Sequence, residues 1–443
     1  MGPDLSRKTP VCGLIIAAPS SGSGKTVVTL GLLAALKARG IKVASFKTGP
    51  DYIDPAFHAK ATGRPCFNLD PWAMRPETLS ASVNEVGVDI ELVVAEGVMG
   101  LFDGATLDLG STADLAALTG WPIVLVVDAR SQGASAAAQV LGFDRFRSDI
   151  NIAGVIFNRV GSEKHQNVIR AAMSRVLPQI PVLGMIPWEH ELELPSRHLG
   201  LIQATEQDGL KTIIDRAALC MEKHVNVGAV HDLATDWHAS GQVQPLPPLG
   251  QHIAVAQDEA FAFAYPALLQ GWRNQGAELS FFSPLDDQAP AANADAVFLP
   301  GGYPELHGYR LSSAEKFVFG LQKAARDGNV IYGECGGYMV LGDAIVDAEG
   351  QSHAMLGLLP LQTSFAQRKL HLGYRQLVLQ TDTPLGKAGA KFRGHEFHYA
   401  SIIDKGLAAN LFDAADAEGL NLGPIGLQVL NVFGSFAHVV DTA

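Results

Sequence analysis

The chain is predicted to fold as two α/β domains, each a doubly wound sheet covered by helices. Two observations carry that expectation. Short apolar runs recur along the chain and alternate with segments whose apolar residues repeat at helical spacing. This is the pattern of parallel strands buried on both faces with helices between them. The rhythm breaks over residues 232–251, DLATDWHASGQVQPLPPLGQ, which hold prolines, glutamines and no period, and it restarts at HIAVAQD (252–258). The expected division is a flexible terminus over 1–10, a first domain over 11–231, a linker over 232–251 and a second domain over 252–443.

In the first half, VCGLIIAA (11–18), KVASFK (42–47), ELVVAEG (91–97), IVLVVDA (123–129), IAGVIFN (152–158) and PVLGMIP (181–187) read as strands. The first runs into a glycine-serine loop and then KTVVTLGLLAALKARG, whose apolar positions 28, 32, 33 and 36 share one helix face, with Gly40 ending it. Strand, loop, Lys-Thr and helix in that order make a cradle for nucleotide phosphates. The backbone of Ser21, Gly22, Ser23 and Gly24 supplies N–H groups, Lys25 reaches the β and γ phosphates, and the Thr26 hydroxyl binds Mg²⁺. Pro19 stands where the strict motif has glycine, so the loop is a variant; the plain alternative is a Gly/Ser turn ahead of a helix.

Two acidic clusters support the nucleotide reading. KTGPDYIDPAFH (47–58) brings Lys47, Asp51 and Asp54 to the edge where open α/β sheets bind ligands, and AEGVMGLFDG (95–104) brings Glu96 and Asp103. Glu96 and Asp51 are expected to join Thr26 on Mg²⁺, and Lys47 to contact ATP. Asp51, Asp54 and Asp103, with Ser111 and Thr112 of STADLAALTG, are expected to position whatever reactants bind at that edge. Asp114 on its own reads as a helix cap. Asn158, ending IAGVIFN, either reads an adenine edge or caps a turn.

The second half repeats the alternation with HIAVAQD, ELSFFSP (278–284), AVFLPGG (296–302) and VIYGECGG (330–337). In the last of these Cys335 sits between glycines at a strand-to-helix turn. That is the geometry of a nucleophile elbow, where a helix N-terminus also favours the thiolate. Gly301 and Gly302, with Gly336, would offer N–H groups to an oxyanion, and His438 in VFGSFAHVV is the clearest base. The bland alternative is a small core cysteine in a turn.

GGYPEL, GECGGYM, GHEFHY (394–399) and GSFAH follow one another behind the phosphate loop, and in that order they resemble class I glutamine amidotransferases of the cobyrinic acid synthase type. APSSGSGKT, KTGPDYIDPAFH, NLDPW (68–72) and EGVMGLFDG resemble the ATP-dependent ligase half of that family, which is itself similar to dethiobiotin synthetase. The resemblance spans nearly the whole chain. It implies ATP- and glutamine-dependent amidation of the a and c acetates of a corrinoid precursor, hydrogenobyrinate or cobyrinate, through acyl phosphates, with ATP and Mg²⁺ as cofactors. It also implies that Cys335 is the glutaminase nucleophile and His438 its base. Many class I members carry a glutamate two residues after that histidine, and Val440 stands here. Glu396 and Asp441 are then the candidates to orient His438, or the pair acts alone. Amidation of nickel-sirohydrochlorin, or of other positions of the corrin ring, is the alternative within the class. A regulatory P-loop ATPase is the alternative outside it, though it would need no elbow cysteine.

Composition bounds the rest. Hydrophobic residues make up 47% of the 443, enough for ordinary cores, and a net charge of −12 argues against a sequence-independent grip on nucleic acid. Four scattered cysteines suit neither a zinc site nor a disulfide framework, and fit a reducing cytoplasm. No apolar run reaches membrane-spanning length, so the expected partners are small molecules, glutamine and the corrinoid precursor, with a homodimer as the default assembly.

Overall fold

A computed structural model describes residues 10–188, 196–197, 200–201, 209–238, 243 and 245–443. The terminus expected to be flexible lies, up to position 9, outside the described residues, as do positions 239–242 and 244 of the expected linker. The chain divides into two compact units. One runs to Trp72 and from Pro76 to Val243; the other takes Ala73–Arg75 and the chain from position 244 on.

In the first unit the strands β1 (Val11–Ala17), β2 (Val43–Thr48), β3 (Phe67–Leu69), β4 (Leu92–Glu96), β5 (Ile123–Asp128), β6 (Ile152–Val160) and β7 (Val182–Pro187) form a parallel sheet. Its order is β3-β2-β4-β1-β5-β6-β7. β1 lies centrally, with Ile15 and Ile16 paired to β4 on one side and β5 on the other. Such a strand is covered on both faces by helices and must be apolar throughout, and Leu14, Ile15 and Ile16 are fully buried. β1 feeds the loop that opens α1 (Lys25–Ala38), and β2 feeds α2 (Asp54–Thr62). Part of the expected linker belongs to this sheet, because Thr235–Trp237 pairs antiparallel with Val11–Gly13 at the start of β1.

The second unit is centred on a six-stranded sheet ordered 278–282, 252–256, 296–299, 330–334, 432–435 and 427–429. Its first five strands are parallel and the last is antiparallel. Alternate side chains feed two cores: Ala254 and Ala256 face one, Ile253 and Val255 the other. The alternation predicted this sheet but not the two that accompany it. A four-stranded sheet uses residues 344–346, 352–354, 361–364 and 401–405, and a five-stranded antiparallel sheet uses 371–379, 391–398, 412–415, 421–425 and 438–442. Several of these strands, such as 371–379, 401–405 and 421–425, leave most positions exposed or half-exposed, so they lack the apolar runs that mark buried parallel strands.

Candidate active sites in the two units

In the first unit a cavity of about 580 Å³ opens at the C-terminal ends of β1, β2 and β4. It is lined by Ser21, Gly22, Gly24, Lys25 and Thr26 from the loop, and by Lys47, Asp51, Asp54, Glu96 and Asn158. Gly24 adopts φ +86°, and a Cβ there would stand 2.2 Å from Asn158 Nδ2, so glycine alone lets the loop close against β6. Ser23 turns away from this cavity, its hydroxyl donating to Ser20 O at 2.9 Å.

The charged groups are locked together. Lys47, buried, donates to Asp54 and, at 2.9 Å, to Glu96 Oε1. Thr26 Oγ1 donates to the same Glu96 oxygen at 2.7 Å and lies 3.4 Å from Asp54 Oδ2. The other Glu96 oxygen meets His58 Nε2 at 2.7 Å, and Cys66 Sγ lies 3.6 Å from His58 Nδ1. Burial alone would discharge Lys47, but Asp54, Glu96 and Asp51 outweigh it and hold its pKa well above the ordinary lysine value. Burial likewise opposes the Glu96 carboxylate, yet Lys47 and His58 keep it far below the carboxylate range. Burial, with Asp51 beside it, raises Asp54 to about 6, and His58 is held at about 10 because Cys66 and Glu96 outweigh its burial. Burial and the neighbouring Lys47 bring Lys25 down to about 8, and its ammonium donates to Met99 O at 2.8 Å.

Several expected site residues have structural partners in the fold. Asn158 donates to Ser23 O at 2.9 Å and accepts from the Arg159 N–H, while Arg159 itself donates to Gly22 O, so the end of β6 braces the phosphate loop. Asp51 Oδ1 accepts the N–H groups of Ile53 and Asp54 and starts α2; Asp54, rather than Asp51, shares Thr26. Ser111 and Asp114 form a reciprocal cap on helix Thr112–Thr119, and Thr112 Oγ1 accepts from Val98 N–H. Asp103 accepts from Gly100 N–H within its own turn. Ser111, Thr112 and Asp103 do not line the cavity.

In the second unit strand 330–334 ends at Glu334, and Cys335 follows at φ +47°, ψ −105°, a conformation that costs a non-glycine residue roughly 1–3 kcal/mol. Its N–H is held by Ser435 O at 2.8 Å, and helix Gly336–Leu341 starts immediately. A Cβ at Gly301 would lie 2.5 Å from His438 Cε1 and 3.3 Å from Cys335 Cβ, so that glycine, the thiol and the imidazole meet. Gly302 N lies 2.9 Å from where a Cβ on Gly336 would stand, so these two backbone segments approach closely.

The thiol differs from expectation. Burial pushes Cys335 up, with Glu305 and Glu334 adding to it, and the Gly336 N–H only partly offsets them. The helix start therefore does not leave a free thiolate, because the side chain is enclosed.

Both expected orienting residues are engaged by arginines. Glu396 is taken by Arg375, at 2.7 and 2.8 Å, and Asp441 by the backbone and guanidinium of Arg75. The carboxylate beside His438 is Glu334, whose Oε2 lies 3.4 Å from Nδ1. Its Oε1 accepts from Tyr332 OH at 2.8 Å and Val439 N–H at 3.0 Å. Its place next to the nucleophile in GECGG was the available signal, but only the pairing of Glu334 with Ser435 brings the histidine strand alongside. His395 stacks on His438 with ring centroids 5.1 Å apart, and its Nε2 meets Tyr265 OH.

Comparison with known proteins agrees with both halves. A family model described as the CobQ/CobB/MinD/ParA nucleotide binding domain matches residues 14–202, and one described as the CobB/CobQ-like glutamine amidotransferase domain matches residues 252–442. Proteins named hydrogenobyrinate a,c-diamide synthase are similar along nearly the full length. That of Brucella anthropi is 55% identical, covering 97% of this chain and 98% of the relative. That of Rhizobium meliloti is 52% identical over 97% and 99%, and that of Rhodobacter capsulatus 49% identical over 97% and 98%. With a phosphate loop in one unit, an elbow cysteine in the other and relatives of this identity, the chain belongs to the CobB/CobQ family of glutamine amidotransferases.

Proposed function

We propose that this chain converts the a and c acetate carboxylates of hydrogenobyrinate into primary amides, spending ATP on each and taking nitrogen from glutamine. The observation that carries the reading is the pairing, in one chain 49–55% identical to hydrogenobyrinate a,c-diamide synthases, of a carboxylate-rich phosphate cavity with an elbow cysteine.

A carboxylate resists ammonia because its oxygen is a poor leaving group. Transfer of the γ-phosphoryl group gives an acyl phosphate and ADP; ammonia then attacks the carbonyl, and phosphate leaves. Positioning and charge neutralisation do most of this work. In this reading the N–H groups from Ser21 to Gly24 hold the phosphates. Lys25 exchanges its Met99 carbonyl for phosphate oxygens, and Lys47 faces the transferred group. Unit charges 4 Å apart interact by roughly 4 kcal/mol at an effective dielectric of about 20, so these lysines matter when bound reactants keep water out. Thr26 Oγ1, Glu96 Oε1 and Asp54 Oδ2 are hard oxygen donors close together, a set that suits Mg²⁺ once Lys47, which bonds both carboxylates, turns to the phosphates. These residues would hold that ion, which draws negative charge from the phosphates when bound.

In the glutaminase unit Cys335 attacks the glutamine side-chain amide as His438 accepts its proton. Because burial holds the thiol protonated, deprotonation and attack are coupled rather than sequential. The N–H groups of Gly302 and Gly336 receive the oxyanion, with Gly301 leaving room for the imidazole. His438 returns its proton to the departing ammonia, and water then hydrolyses the thioester to glutamate. Glu334 takes the orienting role: its fixed Oε1 leaves Oε2 facing Nδ1, which keeps the His438 lone pair toward the sulfur.

The test is product mass after incubation with ATP, glutamine and, separately, hydrogenobyrinate, cobyrinate or nickel-sirohydrochlorin. Two carboxyl-to-amide conversions on hydrogenobyrinate are expected. Efficient double amidation of only one of the other two substrates would overturn the substrate assignment.

A further inference from the structure

Glu305, in the turn GGYPEL, has no part in the chemistry above, and its surroundings are unusual for a carboxylate. It sits on a single 3-10 turn, Pro304–Leu306, directly after the Gly301–Gly302 segment that borders the nucleophile. The turn is pressed against the start of the elbow helix, since a Cβ at Gly336 would lie 2.9 Å from Pro304 Cδ. The residue is half-buried, but its Oε2 is closed off from solvent and has no hydrogen-bond partner among the described residues. Burial lifts its pKa to about 7, and the only side chain that offsets this is the exposed Arg368. Its charge is also the largest electrostatic influence raising the Cys335 thiol. A buried carboxylate with one oxygen unpartnered, its own backbone N–H being the only hydrogen-bond donor that lowers its pKa, costs free energy and opposes the thiolate that the reaction needs, unless a cation arrives with the substrate.

We propose that Glu305 is the glutamine-specificity residue of the glutaminase site, its carboxylate receiving the α-ammonium group of the substrate. This rests on the reading of Cys335 as the glutaminase nucleophile. The ammonium of a free amino acid is the one feature that separates glutamine from other primary amides of the same length. Docked on Glu305, it supplies the missing partner and neutralises the charge that disfavours sulfur attack. An amide lacking the ammonium leaves both penalties in place, so discrimination is exercised in binding and again at the thiol.

The experiment compares hydrolysis of L-glutamine with that of 4-carbamoylbutanoate, the same amide without its α-ammonium, by wild type, Glu305→Gln, Glu305→Asp and Cys335→Ala. Wild type should prefer glutamine in kcat/KM by roughly 10- to 100-fold, the range of one charge-assisted hydrogen bond. Glu305→Gln should lose most of that preference through glutamine, with Glu305→Asp intermediate. At fixed pH the Glu305→Gln thiol should react with iodoacetamide several-fold faster, because a like charge has been removed. A purely structural glutamate would not lower glutamine use and raise thiol reactivity together. An unchanged preference in folded Glu305→Gln, or no preference in wild type, would overturn the proposal while leaving the glutaminase reading intact. Continued glutamine hydrolysis by Cys335→Ala would instead remove the reading on which it stands.

Discussion

The chain contains two arrays of the same three residue types, one in each unit: Cys66, His58 and Glu96 beside the phosphate loop, and Cys335, His438 and Glu334 at the elbow. In both, the glutamate and histidine are buried, and one glutamate oxygen is fixed by other donors while the second faces the ring. They differ in what surrounds the sulfur. Cys66 lies 3.6 Å from His58 Nδ1 just before β3, in ordinary backbone and outside the lining of the phosphate cavity, and its histidine contacts Glu96. Cys335 is thrust forward by a positive φ and is bordered by glycines that leave space and N–H groups for an oxyanion. The same three residue types thus stand in two different settings. The backbone around the thiol makes the difference, because a tetrahedral intermediate needs room and donors.

The largest effect should separate the two sulfurs. Cys335→Ala should abolish glutamine-dependent amidation while amidation from added ammonia continues, whereas Cys66→Ala should cost about 1–2 kcal/mol of stability and leave glutamine-dependent turnover within a few-fold. Measuring amide formation with each nitrogen source checks this, and loss of both activities in a folded Cys335→Ala would defeat the division of labour. Next in size, Glu334→Gln should lower kcat for glutamine hydrolysis by roughly 100-fold with KM little changed, as expected for a group that orients the base. Partial recovery in Glu334→Asp is expected; an equal rise in KM would point to a structural role instead. The smallest effect concerns the Cys335 thiol. Its pKa is raised, so the thiolate fraction stays small and alkylation should climb about tenfold per pH unit from pH 7 to 10 without a plateau. A plateau below pH 9 would show a thiol activated before glutamine arrives.

Where the cause was local, the sequence was legible. The phosphate loop, Lys25 and Thr26 at the helix start, and Cys335 at its elbow were all readable because glycine placement and apolar period act over a few residues. Asn158, Ser111 and Asp103 were legible as positions but not as roles, since a polar side chain at a strand or helix end serves equally as a cap, a brace or a ligand. No described helix is long and apolar enough to cross a membrane.

The sequence by itself determined the two α/β units, the phosphate cradle and the strand-to-helix elbow, because backbone preference and burial on both strand faces are written residue by residue. Tertiary structure alone decided which carboxylate stands beside His438. Glu396 and Asp441 were nearer in sequence, but ion pairs with Arg375 and Arg75 claim them. Glu334 reaches the imidazole because its strand pairs with the one leading into His438, a register set across about a hundred residues of chain. The same long-range packing enclosed Cys335 and so raised the thiol that its helix start would otherwise have lowered.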